Sequence, residues 1–125
     1  MVAKKVALFG STGSIGRSTV AVLSASQGRL EASILSAHRN LGLLVEQARQ
    51  LKPPQVVATD SEAAQAFDWS ELPSETELLI GPESLERVVA SVDVVVAAIA
   101  GSAGLRSTWA AVAAGKDVAV MVAGK

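Results

Sequence analysis

The 125-residue chain has no cysteine, one histidine and few aromatic residues. Without cysteine there is no disulfide frame and no thiolate metal site. A lone histidine, His38, leaves too little for the common zinc sets or a hydrolase triad, and no G-x-S-x-G elbow or Walker A sequence is present. The acidic residues between 60 and 86 lack the spacing of a metal-binding loop. No apolar run reaches the roughly 18 residues of a membrane helix. The apolar stretch after Met1–Lys5 is too short for a signal peptide, so a cytoplasmic location with no membrane association is the expectation. The basic residues have no stacking aromatics between them, which argues against nucleic acid.

Half of the residues are apolar, mostly Ala, Val and Leu, enough for one domain over residues 1–125 with an aliphatic core. The net charge of −1 hides a segregation: residues 1–52 carry seven basic and two acidic groups, and residues 53–86 carry eight acidic and no basic ones. The basic part suits an anionic ligand.

Apolar runs at 3–9, 30–35, 55–58, 77–80, 93–99 and 117–122 read as strands. Between them lie helical patterns. One has Ile15, Thr19, Val22 and Leu23 as its apolar residues. A second, capped by Asn40, has Leu41, Leu44, Val45, Ala48 and Leu51 and is closed by Pro53-Pro54. Ser61 to Phe67 suggests a short helix in the acidic segment, where Phe67 and Trp69 are local anchors. Leu85, Val88 and Val89 mark another. Leu105, Trp109, Val112 and Ala113 mark a last one, with Trp109 expected in the core. Mostly apolar strands alternating with helices predict an α/β fold, a Rossmann-type doubly wound parallel sheet with helices on both faces in the order 3-2-1-4-5-6.

The chemistry concentrates at Gly10-Ser11-Thr12-Gly13-Ser14-Ile15-Gly16, between the first strand and first helix. Gly10 allows a tight turn, Gly13 a close approach of backbone to a pyrophosphate, and Gly16 a helix set tightly on the sheet. The amides around Thr12 to Ile15 and the helix dipole favour an anion, with the hydroxyls of Ser11, Thr12 and Ser14 as further donors. The second strand ends without the acid that holds ribose hydroxyls in NAD-specific domains, since Glu31 sits at its start. Ser36 and Arg39 in its place favour a 2′-phosphate and hence NADP. His38 has no acid–base partner nearby in sequence and reads as a surface hydrogen-bonding residue. The small residues of Ala97 to Gly104, Ala100 and Gly101 among them, leave room for a nicotinamide ring at the end of the fifth strand. No residue is assigned a catalytic or metal-binding role.

Gly10–Gly16 followed by Arg17-Ser18-Thr19, Ser36 to Asn40 before a Leu/Val helix, Val94 to Ala98, Gly101 to Leu105, and Gly115-Lys116 together resemble the opening of the 1-deoxy-D-xylulose 5-phosphate reductoisomerases. The resemblance implies an NADPH-binding N-terminal domain of an enzyme that rearranges and then reduces its sugar phosphate to 2-C-methyl-D-erythritol 4-phosphate. The route is non-mevalonate isoprenoid synthesis, with Mg²⁺ or Mn²⁺, usually as a homodimer. Carried over by position, Thr12, Gly13, Ser14 and Ile15 hold the pyrophosphate. His38, Arg39 and Asn40 flank the 2′-phosphate, and Ala100 to Gly104 adjoin the nicotinamide. The family's Ala-Asn-Lys-Glu sequence is absent after Gly115-Lys116, and Lys125 is not its lysine. The family's metal ligands and lid have no counterpart, so the chain is expected to bind cofactor without turnover. Another NADP-dependent reductase, or a non-catalytic NADP-binding module, is the alternative.

Overall fold

The computed structural model describes residues 3–98 and 108–120. Six strands form one parallel sheet: β1 (Lys4–Phe9), β2 (Leu30–Ala37), β3 (Gln55–Ala58), β4 (Glu77–Ile80), β5 (Val94–Ala97) and β6 (Asp117–Val120). The helices are α1 (Ser14–Ser24), α2 (Leu41–Leu51), α3 (Ser61–Ala66) and α4 (Glu83–Val88), followed by a 3₁₀ turn at Val89–Ser91. Residues 108–113 are also helical.

Each central strand alternates its side chains between two cores. Val6 and Leu8 of β1 join Val20, Leu23, Leu44 and Ala48 beneath α1 and α2. Ala7 and Phe9 join Leu85, Val88 and Val95 on the opposite face, under α4. The register between β1 and β2 slips once: Val6 pairs with Ala32 and Ala7 with Ile34. Ser33 is the extra residue, and skipping it keeps Ala32 and Ile34 on their proper faces. The doubly wound sheet expected from the sequence is therefore present.

The strand order differs from the expected 3-2-1-4-5-6. It is β4-β3-β2-β1-β5-β6, so the fourth strand extends the far edge instead of lying beside β1. Glu77 and Ile80 at the ends of β4 are exposed, whereas β5 is Val-Val-Val-Ala with Val95 and Ala97 buried. The more apolar strand takes the place covered on both sides, and the weaker one takes the edge. Cross-strand ties fix that edge: Thr76 Oγ1 donates to the Pro53 carbonyl at 2.7 Å and Gln55 Nε2 to Glu77 Oε1 at 2.9 Å. Steps from β1 to β4 use helices on one face, and the reversal toward β5 puts α4 on the other, as a constant crossover hand requires. The direction change falls between β1 and β5.

Two helices bury different residues than their patterns suggest. In α1 the buried residues are Gly16, Val20 and Leu23, while Val22 is 60% exposed. In the helix at 108–113, Ala111 is buried and Trp109 is 71% exposed, so Trp109 is not a core residue. Each helix sets a small residue, Gly16 in α1 and Ala111 in the last helix, on its buried side, which lets its backbone come close to its neighbours. Phe67 and Trp69 do anchor the acidic segment. Their rings meet edge to face at 4.6 Å, and Trp69 Nε1 donates to the Ala64 carbonyl.

Candidate functional site

The turn after β1 lies at the carboxyl end of the sheet, beside the change of direction, where open α/β sheets hold their ligands. Gly10 has φ +84°, the left-handed region that a side chain disfavours. Its N–H is held by Ser36 at the end of β2, through the carbonyl at 3.2 Å and Oγ at 3.0 Å. The Ser11 N–H also donates to the Ser36 carbonyl at 2.8 Å. The neighbouring strand thus fixes where the turn begins.

From there the chain enters α1 with Gly13 as N-cap and no side-chain cap. The N–H groups of Ser14, Ile15 and Gly16 have no acceptor within the helix, and Gly13 and Ser14 are exposed. A Cβ on Gly13 would meet only the Gly10 carbonyl oxygen, at 3.9 Å, so the space before the cap is open. Gly16 is buried and different: its Cβ would lie 2.0 Å from the Gly10 carbonyl oxygen and 2.7 Å from Ser11 backbone atoms. The space at Gly13 is thus open, whereas Gly16 lets α1 touch the turn.

Ser11 is not a free donor. It is fully buried; its Oγ donates to Gln47 Oε1 at 2.7 Å, and its carbonyl accepts from Gln47 Nε2 at 2.9 Å. Ser36, expected beside a 2′-phosphate, is also buried, and its hydroxyl serves the Gly10 N–H instead. Thr12 and Ser14 remain accessible.

His38, Arg39 and Asn40 are exposed between β2 and α2. Asn40 caps α2, its Oδ1 accepting the Leu43 N–H at 3.3 Å. Arg39 Nε donates to Asp60 Oδ2 at 3.0 Å, and His38 Nδ1 lies 2.9 Å from Thr59 Oγ1. Asp60 Oδ1 accepts the Ala63 N–H at the start of α3. That bond, followed by the Arg39 guanidinium, holds the Asp60 carboxyl below its ordinary range. The carboxylate is ionised at neutral pH, and its link to Arg39 is lost only as pH falls through that lowered value. Sequence reading missed Gln47, Thr59 and Asp60. Ala100 and Gly101 lie outside the described residues. Glu31 is exposed near the amino end of β2, away from the turn. Among the described residues no three His, Cys, Asp or Glu side chains come together as a metal would need, and no helix is long and apolar enough to cross a membrane.

A parallel doubly wound sheet whose first strand ends in an uncapped glycine turn defines a Rossmann-type α/β domain of the nucleotide-binding class. Residues 6–124 match the model of the 1-deoxy-D-xylulose 5-phosphate reductoisomerase family, and the chain belongs to that family. It is 43% identical over 117 residues to the reductoisomerase of Nitrosococcus oceani, covering 90% of this chain and 30% of that protein. It is 44% identical over 117 residues to that of Anaeromyxobacter sp. strain K, covering 92% and 30%. Among solved structures it is similar to the Zymomonas mobilis reductoisomerase in complex with NADPH. There the TM-score is 0.83 at 30% identity, covering 96% of this chain and 32% of that one. It is also similar to a reductoisomerase in complex with NADPH, fosmidomycin and magnesium, with TM-score 0.80 at 33% identity, covering 92% and 29%. The chain therefore spans about 30% of the length of the curated relatives it matches.

Proposed function

We propose that this chain is the NADPH-binding domain of a 1-deoxy-D-xylulose 5-phosphate reductoisomerase, acting in the cytoplasm in non-mevalonate isoprenoid synthesis. The observation that carries the reading is the open, uncapped start of α1 at Gly13, at the carboxyl end of the sheet, in a family whose solved members include NADPH complexes. The exposed Arg39 at the end of β2 adds the preference for NADP.

The amides of Thr12 to Ile15, with Gly16 next in line, face the pyrophosphate and draw on the α1 dipole. Gly10 sets the turn and Gly13 keeps its approach clear. His38, Arg39 and Asn40 border the 2′-phosphate. Arg39 commits only Nε to Asp60, so its two Nη groups have no hydrogen-bond partner among the described residues and suit a phosphate as a fork. Ala100 to Gly104 adjoin the nicotinamide. When bound, NADPH supplies the reducing equivalent for the aldehyde formed by rearrangement of the sugar phosphate. Binding and orientation of the cofactor are this chain's part. The substrate, the Mg²⁺ or Mn²⁺ and the homodimer belong to the longer enzyme, and no metal step is assigned to these residues.

Titration calorimetry on the chain is expected to give NADPH about tenfold tighter binding than NADH, the effect of one charge-assisted contact. Equal affinities would remove the 2′-phosphate reading. Gly13→Val is expected to fold normally, because its Cβ has room. It should weaken NADPH at least about tenfold by filling the pyrophosphate approach. A folded variant with unchanged affinity would leave the turn a purely structural feature.

A further inference from the structure

We infer that Asp60 is a positioning residue for cofactor choice: by holding Arg39 through Nε it orients the guanidinium toward the 2′-phosphate and so sets the preference for NADPH over NADH. The inference rests on the proposed 2′-phosphate role of Arg39.

Asp60 belongs to a different strand–helix junction from Arg39, directly after Ala58 of β3 and Thr59. Parallel pairing of β2 with β3, Ala37 against Ala58, brings the two junctions side by side. The Asp60 side chain is only 18% exposed; Oδ1 accepts the Ala63 N–H and Oδ2 the Arg39 Nε–H, with His38 Nε2 3.8 Å from the same Oδ2. The Arg39 side chain is 78% exposed and has no other hydrogen bond among the described residues. A long side chain at such a site samples many rotamers, and anchoring one end of its planar head removes much of that freedom before ligand arrives. The anchor uses Nε and leaves both Nη groups for an end-on fork of two parallel N–H···O bonds to phosphate. Thr59 completes the junction. Its N–H donates to the Ala37 carbonyl at 3.0 Å and its Oγ1 meets His38 Nδ1, so the two residues before Asn40 are both held from the end of β3.

An acid this close to a phosphate could instead repel it. The geometry favours positioning: Oδ2 faces the guanidinium and Oδ1 the first turn of α3, so each oxygen is already turned to a donor. The two effects have opposite signs in one measurement. Repulsion lowers NADPH affinity in the wild type, and its removal raises the NADPH:NADH ratio. Loss of positioning lowers it.

The test is calorimetry with NADPH and NADH on the wild-type chain and on Arg39→Ala, Asp60→Asn and Asp60→Ser. Asn and Ser both keep a good cap for α3, and circular dichroism checks that the variants fold. Asp60→Asn and Asp60→Ser are expected to weaken NADPH about three- to five-fold, the most that a partly exposed ion pair commands, with NADH unchanged. A loss of helix α3 alone would move both cofactors together. An unchanged or raised NADPH:NADH ratio in both Asp60 variants, with the ratio still collapsing in Arg39→Ala, overturns the positioning role and leaves the 2′-phosphate reading intact. A wild type without preference, or an Arg39→Ala variant that keeps it, overturns both.

Discussion

Gly16→Ala is expected to lower the melting temperature of the chain by about 8 °C or more. The added Cβ would sit 2.0 Å from the Gly10 carbonyl oxygen and 2.7 Å from the Cα and carbonyl carbon of Ser11. All three are backbone atoms, so no side chain can rotate away. Relief requires α1 to lift from the turn or the turn to leave Ser36, whose carbonyl and hydroxyl hold Gly10 and Ser11. Overpacking ordinarily costs about 1–3 kcal/mol, and a clash of backbone with backbone belongs at or above the upper end. Alanine's better helix propensity returns at most about 1 kcal/mol, so the clash wins. Gly42 supplies the control. It lies in α2, a Cβ there meets nothing within 4 Å, and Gly42→Ala is expected to stabilise by about 0.5–1 kcal/mol. Thermal denaturation followed by circular dichroism separates the two. A Gly16→Ala variant that melts with the wild type would mean α1 does not seat against the turn.

The comparison of these two glycines shows what the sequence could and could not reveal. Strand–helix alternation and the site of the glycine turn were legible because they rest on local patterns: apolar runs, caps and breaks at glycine. Gly16 could be assigned to packing by its place three residues into a helix after a strand. The buried stripe of α1 was read only in part: Leu23 is buried as expected, but the stripe continues through Val20 and Gly16 rather than through Thr19 and Val22, because Gly16 carries no side chain for hydropathy to register. Trp109 was misread for the same reason: an aromatic counts as core, yet Ala111 is what allows its helix to approach the sheet. Placement of β4 depended on competition between strands for the covered positions, a property of the whole sheet that no single segment records. Asp60 and Gln47 were invisible for a further reason. Each is polar, ordinary in its local context, and gains meaning only from a partner 21 or 36 residues away.

Gln47 carries the second large effect. It lies on the apolar side of α2, is 4% exposed, and spends both ends of its amide on Ser11: Oε1 accepts the Ser11 hydroxyl and Nε2 donates to the Ser11 carbonyl. The glycine turn is thus tied to α2 by a two-point clamp inside the protein, where water does not compete. Gln47→Leu keeps the volume and adds apolar contact, but leaves the Ser11 carbonyl without its donor and the Ser11 hydroxyl with only the Ser36 carbonyl, at 3.3 Å. A buried polar group stripped of its partner costs about 1–3 kcal/mol, and we expect about 2–3 kcal/mol for this variant in urea denaturation. Ser11→Ala alone strands Gln47 Oε1 and is expected to cost about 1–2 kcal/mol on the same ground. Because the two side chains form one unit, the double variant should be less destabilised than the sum by about 1 kcal/mol. Strict additivity would show that the clamp is not a unit. The loss also reaches the ligand. With Ser11 released on the α2 side, the N–H groups that follow it are less well ordered before binding. NADPH affinity is expected to fall in Gln47→Leu under conditions where the variant remains folded, because the proposed pyrophosphate contacts start from this turn and would be less well ordered before binding.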